Sequence, residues 1–148
     1  MSFTVVASVH IRAPIEIVWQ TLTDLAAWSA WCTWLRYDGG ALRVGERLQL
    51  RLEPPEGGGY AFAPEVLILD APLHLAWVGR TGLPGVFDGE HHFKLRAVEG
   101  GTWLENSERY SGLLSPLFER LPQMRGAQAG FEALNAEIKA RAETLARP

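Results

Sequence analysis

A change of hydrophobic period constrains this chain more than any single motif. Between residues 41 and 111 apolar side chains recur at every second position, in runs broken by Gly, Pro and Asp. From Leu113 onward they recur at every third and fourth position. Period two puts alternate side chains on one face of a strand, and a period near 3.6 puts them on one stripe of a helix. The second part of the chain is therefore expected to form a one-sided sheet followed by a long amphipathic helix.

Leu42, Val44, Leu48, Leu50 and Leu52 alternate with Arg43, Arg47, Gln49 and Arg51, which predicts a strand over 41–52, interrupted near Gly45. Further strands are predicted over 60–69, 73–80, 86–98 and 102–111, separated by turns rich in Gly and Pro. Leu117, Phe118, Leu121, Met124, Phe131, Leu134, Ile138 and Leu145 then make the apolar stripe. Pro122 is placed at the start of the main helix, over 123–146, with a separate turn at 114–120, because a proline deep in a helix costs about 3 kcal/mol. Upstream, 3–12 reads as a strand rich in β-branched residues. Residues 15–23 read as a short helix opened by Pro14, and Leu25 to Trp31 as a second short helix. Tight turns join antiparallel neighbours, so the expectation is an α+β fold: one curved antiparallel sheet of six strands closing round the C-terminal helix. Such a bowl leaves an internal cavity, the usual form of a small-molecule site.

The 148 residues fit one domain over 1–148, with no linker or repeat. A formal net charge of −3 offers no basic field for a phosphate backbone, so no nucleic acid is expected as partner. One cysteine, Cys32, excludes an internal disulfide and a multi-cysteine metal site. No apolar run approaches the roughly 18–20 residues of a membrane span, and the start lacks a secretory pattern, so stable membrane insertion is not expected and a cytoplasmic location is. No cofactor and no metal are expected, and a homodimer stays open.

The run IRAPIEIVWQTLTDLAAWSAWCTWL, the turn GGALRVGERL, and the segments APLHLAWVGR, GEHHFKL and GGTWLENSERYSGLL follow in that order. Together they resemble the SRPBCC superfamily, which holds the START lipid-transfer domains, the birch-pollen-allergen fold and the polyketide cyclase/dehydrase-like proteins. The bacterial polyketide cyclase/dehydrase-like branch is the most similar. The resemblance implies a helix-grip fold with an internal cavity. It does not supply a reaction, because the superfamily includes carriers, cyclases and hydrolases.

Strand parity assigns the faces. Phe87, His91, Phe93 and Leu95 are expected inward, with Asp88, Glu90, His92 and Lys94 in solvent. Leu104, Asn106, Glu108 and Tyr110 are expected inward, with Trp103, Glu105, Ser107 and Arg109 outward. Leu75, Trp77, Phe62, Pro64 and Val66 also point inward. Trp28, Trp31 and Trp34 are expected at the open end of the bowl, where the resembling superfamily admits its ligand, and Phe131 reaches the cavity from the helix. Among these apolar groups His91, Asn106 and Glu108 are the polar exceptions. They either orient a ligand, with Glu108 and His91 as the candidate acid/base pair, or satisfy one another. His91 and His92 cannot chelate one ion, since adjacent strand residues face opposite ways. Cys32 reads as a small buried hydrophobe and not as a nucleophile.

The expected function is the binding of a small hydrophobic or aromatic ligand. The alternatives are a polyketide cyclase or dehydratase-like enzyme using Glu108 and His91, and a regulatory or client-folding module. A carrier needs an apolar space and an entrance. An enzyme also needs two titratable groups within reach of one substrate atom. An interaction module needs an exposed apolar patch elsewhere.

Overall fold

A computed structural model describes residues 2–55 and 57–148. The chain opens with strand β1 (Ser2–Ile11). Pro14 then starts helix α1 (Ile15–Thr23), its carbonyl accepting the Ile17 and Val18 N–H groups at 3.0 and 3.2 Å. A 3₁₀ turn, Leu25–Ala30, follows. Seven more strands come next: β2 (Leu35–Gly39), β3 (Gln49–Leu52), β4 (Tyr60–Phe62), β5 (Glu65–Asp70), β6 (His74–Thr81), β7 (Phe87–Val98) and β8 (Gly101–Ser111). Helices α2 (Ser115–Phe118), α3 (Pro122–Arg125) and α4 (Ala127–Ala146) close the chain.

The antiparallel strands form two ladders, a five-stranded sheet in the order β1-β8-β7-β6-β5 and a three-stranded sheet in the order β2-β3-β4. Main-chain bonds from residues 45–48 onto β5 bridge them: Gly45 N–H to Val66 O, Val66 N–H to Glu46 O and Leu48 N–H to Pro64 O, each at 2.9 Å. The single six-stranded sheet expected from the sequence is thus two sheets. The predicted strand over 41–52 survives only from Gln49. Gly45 adopts a φ of +89°, and the residues around it lie along the edge of β5 instead of pairing as a regular strand. The predicted strand over 60–69 is split at Ala63-Pro64 into β4 and β5.

Helix α4 lies on the concave side of the larger sheet, against β1, β8 and α1. Leu134, Ile138 and Ala142 join Leu22, Leu75, Trp77, Phe93 and Leu104 in one core. Polar ties fix the helix at its edge: Gln128 Nε2 donates to Val6 O at 2.8 Å, Lys139 Nζ to His10 O at 3.0 Å, and Arg12 N–H to Glu143 Oε2 at 2.8 Å. The apolar stripe is narrower than its sequence suggested. Leu117 is 62% exposed and Leu145 41%, because α2 is a separate turn and the last turn of α4 runs past the sheet. Among the described residues no helix is long and apolar enough to cross a membrane.

Candidate functional site

Strands β6, β7 and β8 set inward-facing side chains in rows. Leu75 lies opposite Phe93 and Phe93 opposite Asn106; Trp77 lies opposite His91 and His91 opposite Glu108. In the next row Gly79 lies opposite Gly89 and Gly89 opposite Tyr110. Period two turns all nine positions toward α4.

His91 is the hub. Its Nδ1 lies 3.2 Å from Glu108 Oε1 and its Nε2 2.6 Å from Asn106 Oδ1. Asn106 Nδ2 in turn donates to Asn135 Oδ1 on α4 at 3.0 Å. With the Asn106 amide nitrogen turned to Asn135, its oxygen faces His91 Nε2, and the other ring nitrogen faces the Glu108 carboxyl, so the imidazole is held from both sides. Aromatic rings cover the hub: Phe93, Phe131 and Trp77 have centroids 4.5, 5.2 and 5.5 Å from the imidazole. His91 is only 6% exposed.

A phenol corner adjoins it. Tyr110 stacks between Phe3 and Phe87, and Phe87 stacks on Phe118 of α2. Burial pushes the Tyr110 pKa up strongly, and the charge and hydrogen bond of Glu108 add to the push. Tyr60 on β4 is 61% exposed, yet desolvation of its phenol and the charge of Glu108 raise its pKa as well. Two buried donors have no hydrogen-bond partner among the described residues: Trp28 Nε1, whose ring packs by Trp77, and Asn135 Nδ2, beside Asn106. Each such group costs about 1–3 kcal/mol when left unpaired.

Of the three tryptophans expected at the rim, Trp28 stands elsewhere, while Trp31 and Trp34 are half-buried. Trp28 is 2% exposed, in the core, with its ring 6.4 Å from Trp77; the 3₁₀ turn rolls it inward beneath the sheet. Trp31 packs edge-on against Trp28, half-buried, and Trp34 lies on α4 at Gly130, with its Cζ3 3.7 Å from a Cβ built there. Phe62 is half-buried beside Tyr60. Leu104 is fully buried opposite Leu95, one row beyond Asn106, away from the polar cluster. Buried Cys32 accepts the Leu35 N–H at Sγ, and burial pushes its thiol pKa up, as suits a small hydrophobe.

His92 faces the opposite side from His91, as parity required, yet it is not free in solvent. Its Nδ1 is 2.8 Å from His74 Nε2 and its Nε2 2.9 Å from Glu90 Oε1. Its cross-strand neighbour Ser107, which lies between His92 and Val6 in the sheet, is buried at 8%, also against expectation. The sequence reading passed over Asn135 and Tyr60. Asn135 had a signal: it interrupts the apolar stripe four residues after Phe131 and three before Ile138. Tyr60, next to a glycine-rich turn, had none.

Two open surface hollows, of about 440 and 480 Å³, lie outside this cluster. One is between β3 and β4, with Arg51, Glu53 and Tyr60 in its wall, and the other is where Arg12 and Ile15 approach Gly100. At Gly79 on β6 an added Cβ would meet nothing within 4 Å.

The family described as "Polyketide cyclase / dehydrase and lipid transport" matches residues 2–145. No curated protein matches the chain. Among solved structures it is similar to protein CV1439 from Chromobacterium violaceum, with a TM-score of 0.70 and 16% identity over 98% of this chain and 97% of that one. The di-domain ARO/CYC BexL from the BE-7585A biosynthetic pathway gives a TM-score of 0.73 and 15% identity, over 99% of this chain and 51% of BexL. An AHSA1-like protein from Aeromonas hydrophila gives 0.65 and 24%, over 97% and 94%. At these identities the likeness concerns the fold.

Proposed function

Because the chain belongs to the polyketide cyclase/dehydrase and lipid transport family, we propose that it binds a small, largely apolar molecule bearing an oxygen acceptor on the concave face. The observation that carries this reading is the pair of unpartnered donors, Trp28 Nε1 beside Trp77 and Asn135 Nδ2 beside Asn106, each on a residue 2% exposed. A molecule with an apolar body and a carbonyl or ether oxygen supplies what these donors lack, while Trp77, Phe93 and Phe131 provide contact area. Native mass spectrometry of protein purified from its own host tests it. The expected result is a small-molecule mass increment that denaturation releases for extraction. The bare chain mass in every preparation would count against the reading.

A second reading, an enzyme, draws on the 3.2 Å contact between His91 and Glu108. The Glu108 side chain keeps 18% exposure, and its second oxygen is not committed to His91. Such a carboxyl could move a proton next to a substrate carbonyl. His91 supports it only from behind, since both of its nitrogens are occupied by protein. Holding a ligand is therefore the reading preferred.

A further inference from the structure

Strand register brings together two histidines that lie 18 residues apart in the chain. His74 opens β6 opposite Lys94, and His92 lies on β7 opposite Ala76, so the two are diagonal neighbours. Both point to the convex side, away from α4. His74 Nε2 is 2.8 Å from His92 Nδ1. The ring centroids are 5.0 Å apart and the planes 32° from parallel. At that separation each nitrogen points at the other in its own ring plane, so the lone-pair directions converge between the strands. The far nitrogen of His92, Nε2, is 2.9 Å from Glu90 Oε1. A carboxylate in that place orients an imidazole and raises its basicity as a metal ligand. His91 and His92, adjacent in the chain, point to opposite faces and cannot hold one ion. The register of β6 on β7 makes the pair that can.

We propose that His74 Nε2 and His92 Nδ1 bind Zn²⁺, as an open site with two protein ligands and water in the remaining positions. The proposal is separate from the small-molecule reading and does not depend on it. A tetrahedral Zn²⁺ about 2.0–2.1 Å from each nitrogen holds the two roughly 3.3 Å apart, so the rings part by about 0.5 Å and pivot outward. The His92 side chain keeps 17% exposure, which gives the ion and its waters access. Asp70, opposite His74 across β5, and Glu90 flank the pair. They offset Lys94, opposite His74 across β7, and Arg109, opposite Glu90 across β8, so no net positive field repels an ion. Among the described residues no three His, Cys, Asp or Glu groups are placed to share a metal, which distinguishes this pair from a closed structural cage. Imidazole ligands suit Zn²⁺ and do not suit Mg²⁺, which takes oxygen. A bound ion ties β6 to β7 on the face opposite Trp77 and His91, and stabilises the native state by mass action.

The test is isothermal titration of tag-free, chelator-stripped protein with zinc chloride, and with magnesium chloride as control. It is run on the parent chain, His74→Gln, His92→Gln and His10→Gln, with melting curves for each. The parent is expected to bind one Zn²⁺ per chain in preference to Mg²⁺, and to melt at a higher temperature when Zn²⁺ is present. His74→Gln and His92→Gln are each expected to lose Zn²⁺ affinity by about tenfold or more. His10→Gln, at the ring that meets Glu99 O, is expected to keep it. If either of the first two variants fails to fold, the parent's two-bond ¹H–¹⁵N imidazole spectrum decides, with Zn²⁺ expected to move His74 Nε2 and His92 Nδ1 most. No binding up to about 1 mM Zn²⁺ overturns the proposal. Equal binding of Mg²⁺ does so too, as does Zn²⁺ affinity that survives in either His74→Gln or His92→Gln, or imidazole shifts centred on His10 or His91. None of these outcomes touches the small-molecule reading.

Discussion

His91 spends both ring nitrogens on protein partners, so a ligand would meet the cluster through Glu108 and the unpartnered Asn135 Nδ2. Glu108→Gln keeps shape and an acceptor oxygen. In a binding protein it should change ligand affinity by less than about tenfold, or 1.4 kcal/mol, by titration. If a reaction is found and Glu108 moves its proton, the same change should remove on the order of 10²–10⁴ in turnover while binding survives. Unchanged turnover would end the acid/base reading. Asn106 is structural by the same geometry. Asn106→Leu strips the partners from His91 Nε2 and Asn135 Oδ1, and urea unfolding should show a loss of about 1–3 kcal/mol or more.

Among the elements, those with an uninterrupted period were legible from sequence. The stretches now β6, β7 and β8 alternate cleanly, and their parity placed His91, Asn106 and Glu108 on one face. The failures have local causes. β2, LRYDG, is short and carries its pairing through backbone bonds to β3, so no alternation announces it. Residues 42–48 alternate but lie as a loop along β5, because Gly45 turns the backbone away. The Trp cluster could not be placed from period at all, since a 3₁₀ turn gives no stripe long enough to assign a face. In α4 the stripe is real where the sheet lies beneath it. Ile138→Ala, at a residue 1% exposed, should cost about 2–5 kcal/mol on unfolding.

The outer face of β6 and β7 supplies a pH prediction. Burial, then His92 and Lys94, push the His74 pKa below its ordinary 6.5, with Asp70 and Glu90 opposing in part. A histidine with a depressed folded pKa favours the native state when neutral. Its contribution is present above pH 6.5 and lost as pH falls below that value toward the folded pKa. His74→Gln should flatten the fall in melting temperature below about pH 6.5, and an unchanged slope would remove His74 as its source.

For the molecule as a whole, the account places binding on the concave side and gives the outer leucines no part in it. Leu83, Leu113 and Leu117 are 75%, 82% and 62% exposed. Leu117→Gln should therefore shift stability by no more than about 0.5 kcal/mol and leave ligand affinity alone. Loss of affinity in that variant would favour the interaction-module reading. The most direct measurement of the central claim is a ¹H–¹⁵N NMR titration with 2-naphthol. The account predicts shifts that concentrate on the His91 and Glu108 amides and on the Trp28 indole N–H. Shifts confined to the hollow between β3 and β4, or to the exposed leucines, would contradict it.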